Sequence, residues 1–225
     1  MSIRLKRCAV GALLAVSALS AQASVLLNEG FNSVAGLTGA GWVTINASSG
    51  GLTGWYQGDS GVFGAQSGVP SSYIAANFNN AGIGQAIQNW LITPLFTYTE
   101  KALLQFWTRT DGTQYADRLD VRYSPMGGSA IADFTSSLLS INLSESTGGY
   151  PDVWTAFSTA FGNGGGGSGR IAFVYNVANS DRANYIGIDT VLLQAVPEPA
   201  SLALVGLALA GAAFGRRCVV RKEAA

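Results

Sequence analysis

The sequence RLDVRY at residues 118–123 decides the fold class, because charged and apolar side chains alternate along it without a break. Successive side chains of a β-strand point to opposite faces, so this pattern predicts a strand with one buried and one polar face. The same alternation recurs in RIAFVYNV at residues 170–177, where every second residue is apolar and bulky. The two segments predict a protein built from β-sheet.

Outward from these segments, six further stretches rich in β-branched, aromatic and other apolar residues predict strands: Val25–Phe31, Tyr73–Phe78, Gln85–Phe96, Ala102–Arg109, Trp154–Phe161 and Tyr185–Gln194. Gly, Ser, Asn and Asp cluster between them, and none of the stretches has the 3.6-residue period of a helix. Many short strands separated by turn residues predict an all-β domain of two packed sheets, a β-sandwich. The glycine-rich run at residues 163–169 predicts a flexible hairpin connection.

The N-terminal residues have the pattern of a secretory signal. Arg4, Lys6 and Arg7 precede an apolar run at residues 9–19, which would form a short signal helix, and Ala21-Gln22-Ala23 supplies small residues for signal peptidase. Residues 1–23 are therefore predicted to be a signal peptide, and the remaining chain is predicted to be exported.

The C-terminal residues carry a second targeting pattern. Val196-Pro197-Glu198-Pro199 precedes an apolar run at residues 200–214 and a basic tail at residues 216–222. Two prolines end any preceding strand, and cations beyond an apolar helix hold that flank in the cytoplasm. The helix would be about 22 Å long, shorter than a hydrocarbon core of about 30 Å, which favours transient membrane insertion over a permanent span.

This order of parts resembles the PEP-CTERM sorting signal of Gram-negative bacteria. In that family an exosortase is thought to recognise the Pro-Glu-Pro element and to release or transfer the protein to the cell surface. The resemblance implies that residues 196–225 are a sorting segment with Val196, Pro197, Glu198 and Pro199 as its motif. It also implies a final location at the cell surface or in the extracellular matrix.

Composition excludes several functions for the region between the two targeting segments. Residues 24–196 contain six basic and eleven acidic side chains, so their net charge is −5, which argues against nucleic acid as a partner. Both cysteines, Cys8 and Cys218, lie outside this region, and the chain contains no histidine. Ser-His-Asp and Cys-His catalysis and most catalytic zinc sites are therefore excluded, and we expect no enzymatic activity.

Five elements of the central region together resemble a known domain family. They are, in chain order, Asn89–Pro94, a strand with Leu104 to Arg109, Asp117–Arg122, Gly169–Phe173 after Trp154, and Tyr185–Asp189. In this order they look like the choice-of-anchor J domain, which is related to the cleaved-adhesin and MAM-like jelly rolls. The resemblance covers residues 24–195 and implies a jelly-roll sandwich.

The resemblance also implies a cation site. The first and last strands lie near each other in such a jelly roll, which would bring Glu29, Asn32 and Asp189 together. Hard oxygen ligands suit Ca²⁺. The family usually carries a second acidic residue after the one matched by Asp189, and here that residue is Thr190. The alternative is that Asp189 accepts backbone hydrogen bonds and that Glu29 is solvated.

Three aromatic residues are candidates for carbohydrate binding. Trp42, Trp55 and Tyr56 lie in glycine-rich segments, where loops are often exposed. Flat aromatic rings stack on the apolar faces of sugars, and Trp and Tyr add a polar edge. The alternative is that these rings pack in the core.

Asp117 and Asp120 are the nearest candidates for a pair of hydrolytic carboxylates. They are three residues apart on a predicted strand and therefore point to opposite faces. Arg118 and Arg122 share a face with Asp120, which favours a surface ion ladder. We expect an adhesive or structural protein that binds polysaccharide weakly in an exopolysaccharide setting. The alternatives are a carbohydrate-active hydrolase and a permanently membrane-anchored surface protein.

Overall fold

A computed structural model describes residues 23–196 of the chain. The predicted signal helix, the predicted sorting helix and the Pro197-Glu198-Pro199 element lie outside the described residues. Residues 23–196 belong to one compact unit. No helix within residues 23–196 is long and apolar enough to cross a membrane.

The described residues form short strands joined by loops and four single turns of 3-10 helix. The strands are β1 (Ser24–Glu29), β2 (Val43–Asn46), β3 (Tyr56–Gln57), β4 (Ile74–Asn77), β5 (Ile87–Ile92), β6 (Phe96–Tyr98), β7 (Lys101–Thr110), β8 (Leu119–Ser124), β9 (Ser136–Ile141), β10 (Thr155–Phe161), β11 (Gly167–Val177) and β12 (Tyr185–Val196). The 3-10 turns span Val34–Gly36, Phe78–Asn80, Ile131–Asp133 and Ser180–Arg182.

The strands form two six-stranded antiparallel sheets. The first sheet has the order β10-β7-β12-β4-β3, with β1 also paired to β12. The second has the order β2-β5-β11-β8-β9, with β6 also paired to β11. The predicted all-β sandwich is confirmed, and the main hydrophobic core contains residues from both sheets.

The two segments that predicted the fold are neighbours in the second sheet. Strand β8 pairs antiparallel with β11, and Phe173 lies opposite Val121. The rings of Phe173 and Phe106, which come from different sheets, meet edge-to-face with their centroids 5.0 Å apart. Aromatic contacts of this kind join the two sheets, because each ring buries a large apolar area.

Strand β12 runs through the first sheet and defines the two ends of the sandwich. It pairs with β7 on one side, and with β4 and then β1 on the other. At about 3.3 Å per residue its twelve residues span roughly 36 Å. The strand begins at Tyr185, beside the end of β4 at Asn77, and it ends at Val196, beside Lys101. These two ends of the sandwich are called the Tyr185 end and the Val196 end.

The structure corrects three details of the sequence interpretation. Strands β2, β3 and β9 were not predicted, because β2 and β3 have only four and two residues and three of the six residues of β9 are serines. The stretch Gln85–Phe96 predicted one strand, and it divides into β5 and the first residue of β6. The glycine-rich run does not connect a hairpin, because β10 and β11 belong to different sheets. Gly167 of this run lies against the Tyr98 side chain instead, because an added Cβ there would be 3.2 Å from the Tyr98 hydroxyl oxygen.

Candidate functional site

The three residues predicted as Ca²⁺ ligands lie in one region, where the end of β1 pairs with the bulged part of β12. Glu29 Oε1 accepts a hydrogen bond from the backbone N–H of Phe31 at 2.7 Å. Asn32 Oδ1 accepts one from the Ser72 hydroxyl at 2.9 Å. Within residues 23–196, no group of three or more Asp, Glu, Cys or His side chains is arranged to hold a metal ion.

Asp189 is fully buried and is hydrogen-bonded to backbone N–H groups of one loop and of its own strand. Its Oδ2 accepts from the N–H groups of Gln66 at 2.9 Å and Ser67 at 3.1 Å, and Oδ1 accepts from the Thr190 N–H at 2.6 Å. Burial raises the pKa of the Asp189 carboxyl above its ordinary value, and these hydrogen bonds oppose the rise. A cavity of about 160 Å³ beside it is lined by Asn28, Gly30, Asn32, Ser67, Gly68 and Thr190. Asp189 therefore anchors residues 66–67 next to this small polar cavity.

The aromatic residues proposed for sugar stacking do not present free faces to solvent. Trp42 is 2 % exposed and Trp55 is 8 % exposed, and both belong to the main core. The Trp42 ring packs edge-on against Phe31 at 5.6 Å between centroids. Tyr56 is half-buried and packs edge-on against Tyr185 at 6.1 Å. The alternative interpretation, in which Trp42 and Trp55 pack in the core, is the one that the structure shows.

The two candidate hydrolytic carboxylates are also buried. Asp120, 1 % exposed, pairs with the Arg118 guanidinium at 2.9 Å. The other arginine of the predicted ladder, Arg122, lies over the ring of Trp90 at 5.8 Å instead of pairing with Asp120. Asp117 is fully buried and accepts hydrogen bonds from three groups of the surrounding elements. Neither carboxylate is placed to reach a glycosidic bond in solvent.

The structure instead brings together three loops at the Tyr185 end to form a cleft of about 440 Å³. Its walls come from the Phe78–Asn80 turn, the loop before β8 and the Ser180–Arg182 turn. The lining residues are Phe78, Asn79, Ala81, Ile83, Tyr115, Ser180, Asp181 and Ala183. This volume falls in the range of small-molecule pockets.

The cleft carries the most exposed aromatic side chains of the described residues. Phe78 is 45 % exposed and Tyr115 is 37 % exposed, and Ile83, at 91 %, stands beside them. The sequence interpretation missed all three residues. Phe78 ends an apolar stretch and is followed by Asn79-Asn80-Ala81-Gly82, which is typical of a turn. An aromatic residue at the start of a turn could have indicated an exposed ring.

Backbone hydrogen bonds hold the two aromatic residues in place. The N–H of Phe78 donates to the carbonyl of Asn184 at 2.9 Å, and the N–H of Ala116 donates to the carbonyl of Arg182 at 2.7 Å. The carbonyl of Tyr115 accepts from the N–H of Gly148 at 3.2 Å. The backbone at or next to both aromatic residues is thus hydrogen-bonded to the loop that precedes β12.

Polar groups stand beside the rings. Asp181 Oδ1 accepts a hydrogen bond from the Gly84 N–H at 3.1 Å, and the Asp181 N–H donates to Asn179 Oδ1 at 2.8 Å. Asn79 and Tyr115 add a side-chain amide and a phenolic hydroxyl to the lining. The cleft therefore combines exposed rings with groups that can donate and accept hydrogen bonds, and a few placed polar groups among apolar ones are typical of ligand sites.

Comparisons with known proteins agree with this fold. Residues 24–161 match the model of the Cleaved Adhesin Domain, and residues 195–221 match the PEP-CTERM protein-sorting motif. No curated protein matches the chain.

Two solved structures of cleaved adhesin domains are similar to the described fold. Both belong to Lys-gingipain from Porphyromonas gingivalis W83. The K1 domain has a TM-score of 0.58 and 23 % identity, over 76 % of this chain and 98 % of that chain. The K3 domain has a TM-score of 0.55 and 19 % identity, over 78 % of this chain and 100 % of that chain. At these identities the similarity shows the fold alone. Because the family model matches more than half of the chain, this protein belongs to the cleaved adhesin family and carries a PEP-CTERM sorting motif near its C-terminus.

Proposed function

We propose that this protein is an exported surface adhesin that holds polysaccharide weakly through the cleft at the Tyr185 end. One observation carries the proposal: Phe78 and Tyr115, the most exposed aromatic side chains among residues 23–196, line the same cleft. Exposed aromatic residues are unfavourable in water unless a partner covers them. Their convergence on one cavity therefore favours a ligand.

Polysaccharide suits this cleft better than a purely apolar ligand. A pyranose ring presents C–H groups on its face and hydroxyl groups around its rim, so it pairs apolar stacking with hydrogen bonding. The rings of Phe78 and Tyr115 supply the first requirement, and the polar groups of Asn79 and Asp181 supply the second. A shallow site with two rings predicts weak binding, which many contacts along one polymer would strengthen.

The position of the cleft supports a role at a surface. The cleft lies at the Tyr185 end, and the chain leaves the domain towards the sorting motif at the Val196 end, roughly 36 Å along β12. The cleft and the exit of the chain towards the sorting motif are therefore at opposite ends of the domain. The exopolysaccharide setting and the Gram-negative host remain parts of the proposal.

Processing at both ends is part of the same proposal. The match to the PEP-CTERM motif supports recognition by an exosortase, after signal peptidase has removed residues 1–23. The product would be a surface or matrix protein that binds and does not hydrolyse its polysaccharide.

We also propose a divalent cation at the small cavity near β1. Its support is the acidic balance of residues 24–196 and the oxygen atoms of Asn32, Ser67 and Thr190, which line that cavity. Glu29 and Asp189 are the chain neighbours of the lining residues Gly30 and Thr190. Calcium prefers oxygen ligands of these kinds. Removal of the cation with EDTA tests this proposal.

Affinity measurements on an immobilised polysaccharide panel test the binding function. Phe78→Ala and Tyr115→Ala should each weaken binding about tenfold, because each removes roughly 1–1.5 kcal/mol of apolar burial from the complex. Met126→Ala is the matched control, since Met126 is 89 % exposed and lies in the turn that follows β8 at the Val196 end. Equal binding by all four proteins would refute the assignment of the cleft.

A further inference from the structure

The charge of the cleft carries information about its ligand. Among the residues that line it, Asp181 is the only one with a formal charge at neutral pH, and no lysine or arginine belongs to the lining. The neighbouring Arg182 guanidinium donates instead to the carbonyl of Glu145 at 2.9 Å. A ligand in the cleft therefore meets one carboxylate and no opposing cation from the lining.

The Asp181 carboxylate is held in a defined orientation. Oδ1 accepts from the Gly84 N–H, and the Asp181 backbone is held in turn by Asn179 Oδ1. Among the residues that the structure describes, no hydrogen bond or ion pair engages Oδ2. An oxygen with unused lone pairs, fixed beside exposed rings, is suited to accept from a hydroxyl group, and such charge-assisted bonds are stronger than neutral ones.

We infer that the cleft selects neutral, hydroxyl-rich saccharides over uronate-bearing or sulfated ones, and that Asp181 sets this preference. The inference rests on the proposed function of the same cleft. A hydroxyl group of a neutral sugar donates to Oδ2, whereas the carboxylate or sulfate of an acidic sugar brings a second negative charge into the cleft. Two like charges about 4 Å apart repel even in water, which corresponds to a difference in affinity of about fivefold or more.

Binding to a glycan array tests the inference with full-length protein. The array carries neutral glucans, galactans, mannans and xylans beside polygalacturonate, alginate and heparan sulfate. The wild-type protein should bind neutral glycans. Its affinity for the acidic glycans should be at least fivefold lower or undetectable. Asp181→Asn preserves the acceptor for Gly84 and removes the charge. It should weaken neutral binding about fivefold and narrow the difference between neutral and acidic glycans.

A thermal melt confirms that the variant is folded, and Phe78→Ala separates the two levels of the proposal. If glycans bind and Phe78→Ala releases them, yet Asp181→Asn changes neither affinity nor selectivity, the role of Asp181 is overturned while the cleft stands. Wild-type binding to acidic glycans as tight as to neutral ones also overturns the selectivity. An array on which wild-type protein binds nothing overturns both.

Discussion

Replacement of the buried Asp117 tests the hydrogen bonds that join three elements at the Tyr185 end of the sandwich. Its carboxylate accepts hydrogen bonds from the Tyr175 hydroxyl at 2.5 Å, the Thr110 hydroxyl at 2.6 Å and the Asn184 N–H at 2.8 Å. These partners come from β11, β7 and the residue before β12, so one side chain ties three elements at the Tyr185 end. We predict a large loss of stability for Asp117→Ala and a small one for Asp117→Asn.

The magnitudes follow from the partners. Alanine leaves the Tyr175 hydroxyl and the Asn184 N–H buried without an acceptor, at about 1–3 kcal/mol each, so unfolding should become easier by about 4 kcal/mol. The Thr110 hydroxyl retains the Tyr185 carbonyl, 3.0 Å away, as an acceptor. Asparagine keeps Oδ1 for the two donors, and its amide can donate to the Thr110 oxygen. Asp117→Asn should therefore change the free energy of unfolding by less than about 1 kcal/mol.

The pH dependence gives a second signature. Burial raises the pKa of Asp117 above its ordinary value of 3.8, against the lowering effect of its three hydrogen bonds. The folded state therefore holds the proton more tightly than the unfolded state. Below pH 3.8 both states are protonated, and the stability due to this group falls as the pH rises from there through the raised pKa. Asp117→Asn has no such proton, so wild-type stability should fall relative to that variant over this window.

Urea unfolding at several pH values between 3.5 and 7, followed by tryptophan fluorescence, measures both effects. The difference between wild type and Asp117→Asn isolates this carboxyl, because Asp189, whose pKa is also raised by burial, is present in both proteins. If Asp117→Asn is as damaging as Asp117→Ala at neutral pH, an ionised carboxylate is required. Burial then does not raise the pKa of the Asp117 carboxyl.

Three other predictions concern different parts of the molecule. Gly187→Ala should lower the free energy of unfolding by about 1–3 kcal/mol in a urea titration, because the new Cβ would lie 2.9 Å from the ring of Phe63; an unchanged titration would contradict this packing. Excess EDTA should lower the melting temperature, since a ligand at a hundred times its Kd stabilises the folded state by about 2.7 kcal/mol, and Asn32→Ala should lose this response. A melting temperature that does not change with EDTA would refute the proposed cation. Intact-mass analysis of surface material should give a chain that begins near Ser24 and ends near Pro199, whereas a retained C-terminal tail would indicate a permanent anchor.

The fold was predictable where alternation was regular. Residues 118–123 and 170–177 became the adjacent strands β8 and β11, because a two-residue period leaves one face apolar and therefore buried. Asp120 shows the limit of this reasoning. Its position on the polar side was correct, yet it is buried, because Arg118 and Asn176 cover it with hydrogen bonds at 2.8–3.0 Å.

The candidate site was not predictable in the same way. Phe78, Tyr115 and Asp181 line one cleft only because three loops, far apart in the chain, lie at the same end of the sandwich. No local spacing encodes that meeting. Trp42 and Trp55 illustrate the converse, since a tryptophan that follows a glycine is compatible with either an exposed loop or a core position. Only the pairing of strands decides which one is realised.

The course of β12 has a mechanical consequence. If a polymer binds the proposed cleft, its pull acts through Phe78, which follows β4, whereas a pull on the chain beyond Val196 acts on β12. The strand has neighbours on both sides, and hydrogen bonds between antiparallel strands lie perpendicular to the strand direction. Because β4 pairs antiparallel with β12, pulling these two strands in opposite directions loads the bonds between them together, in shear, rather than opening them one after another. Such an arrangement would resist unfolding under a load applied at both ends of the sandwich.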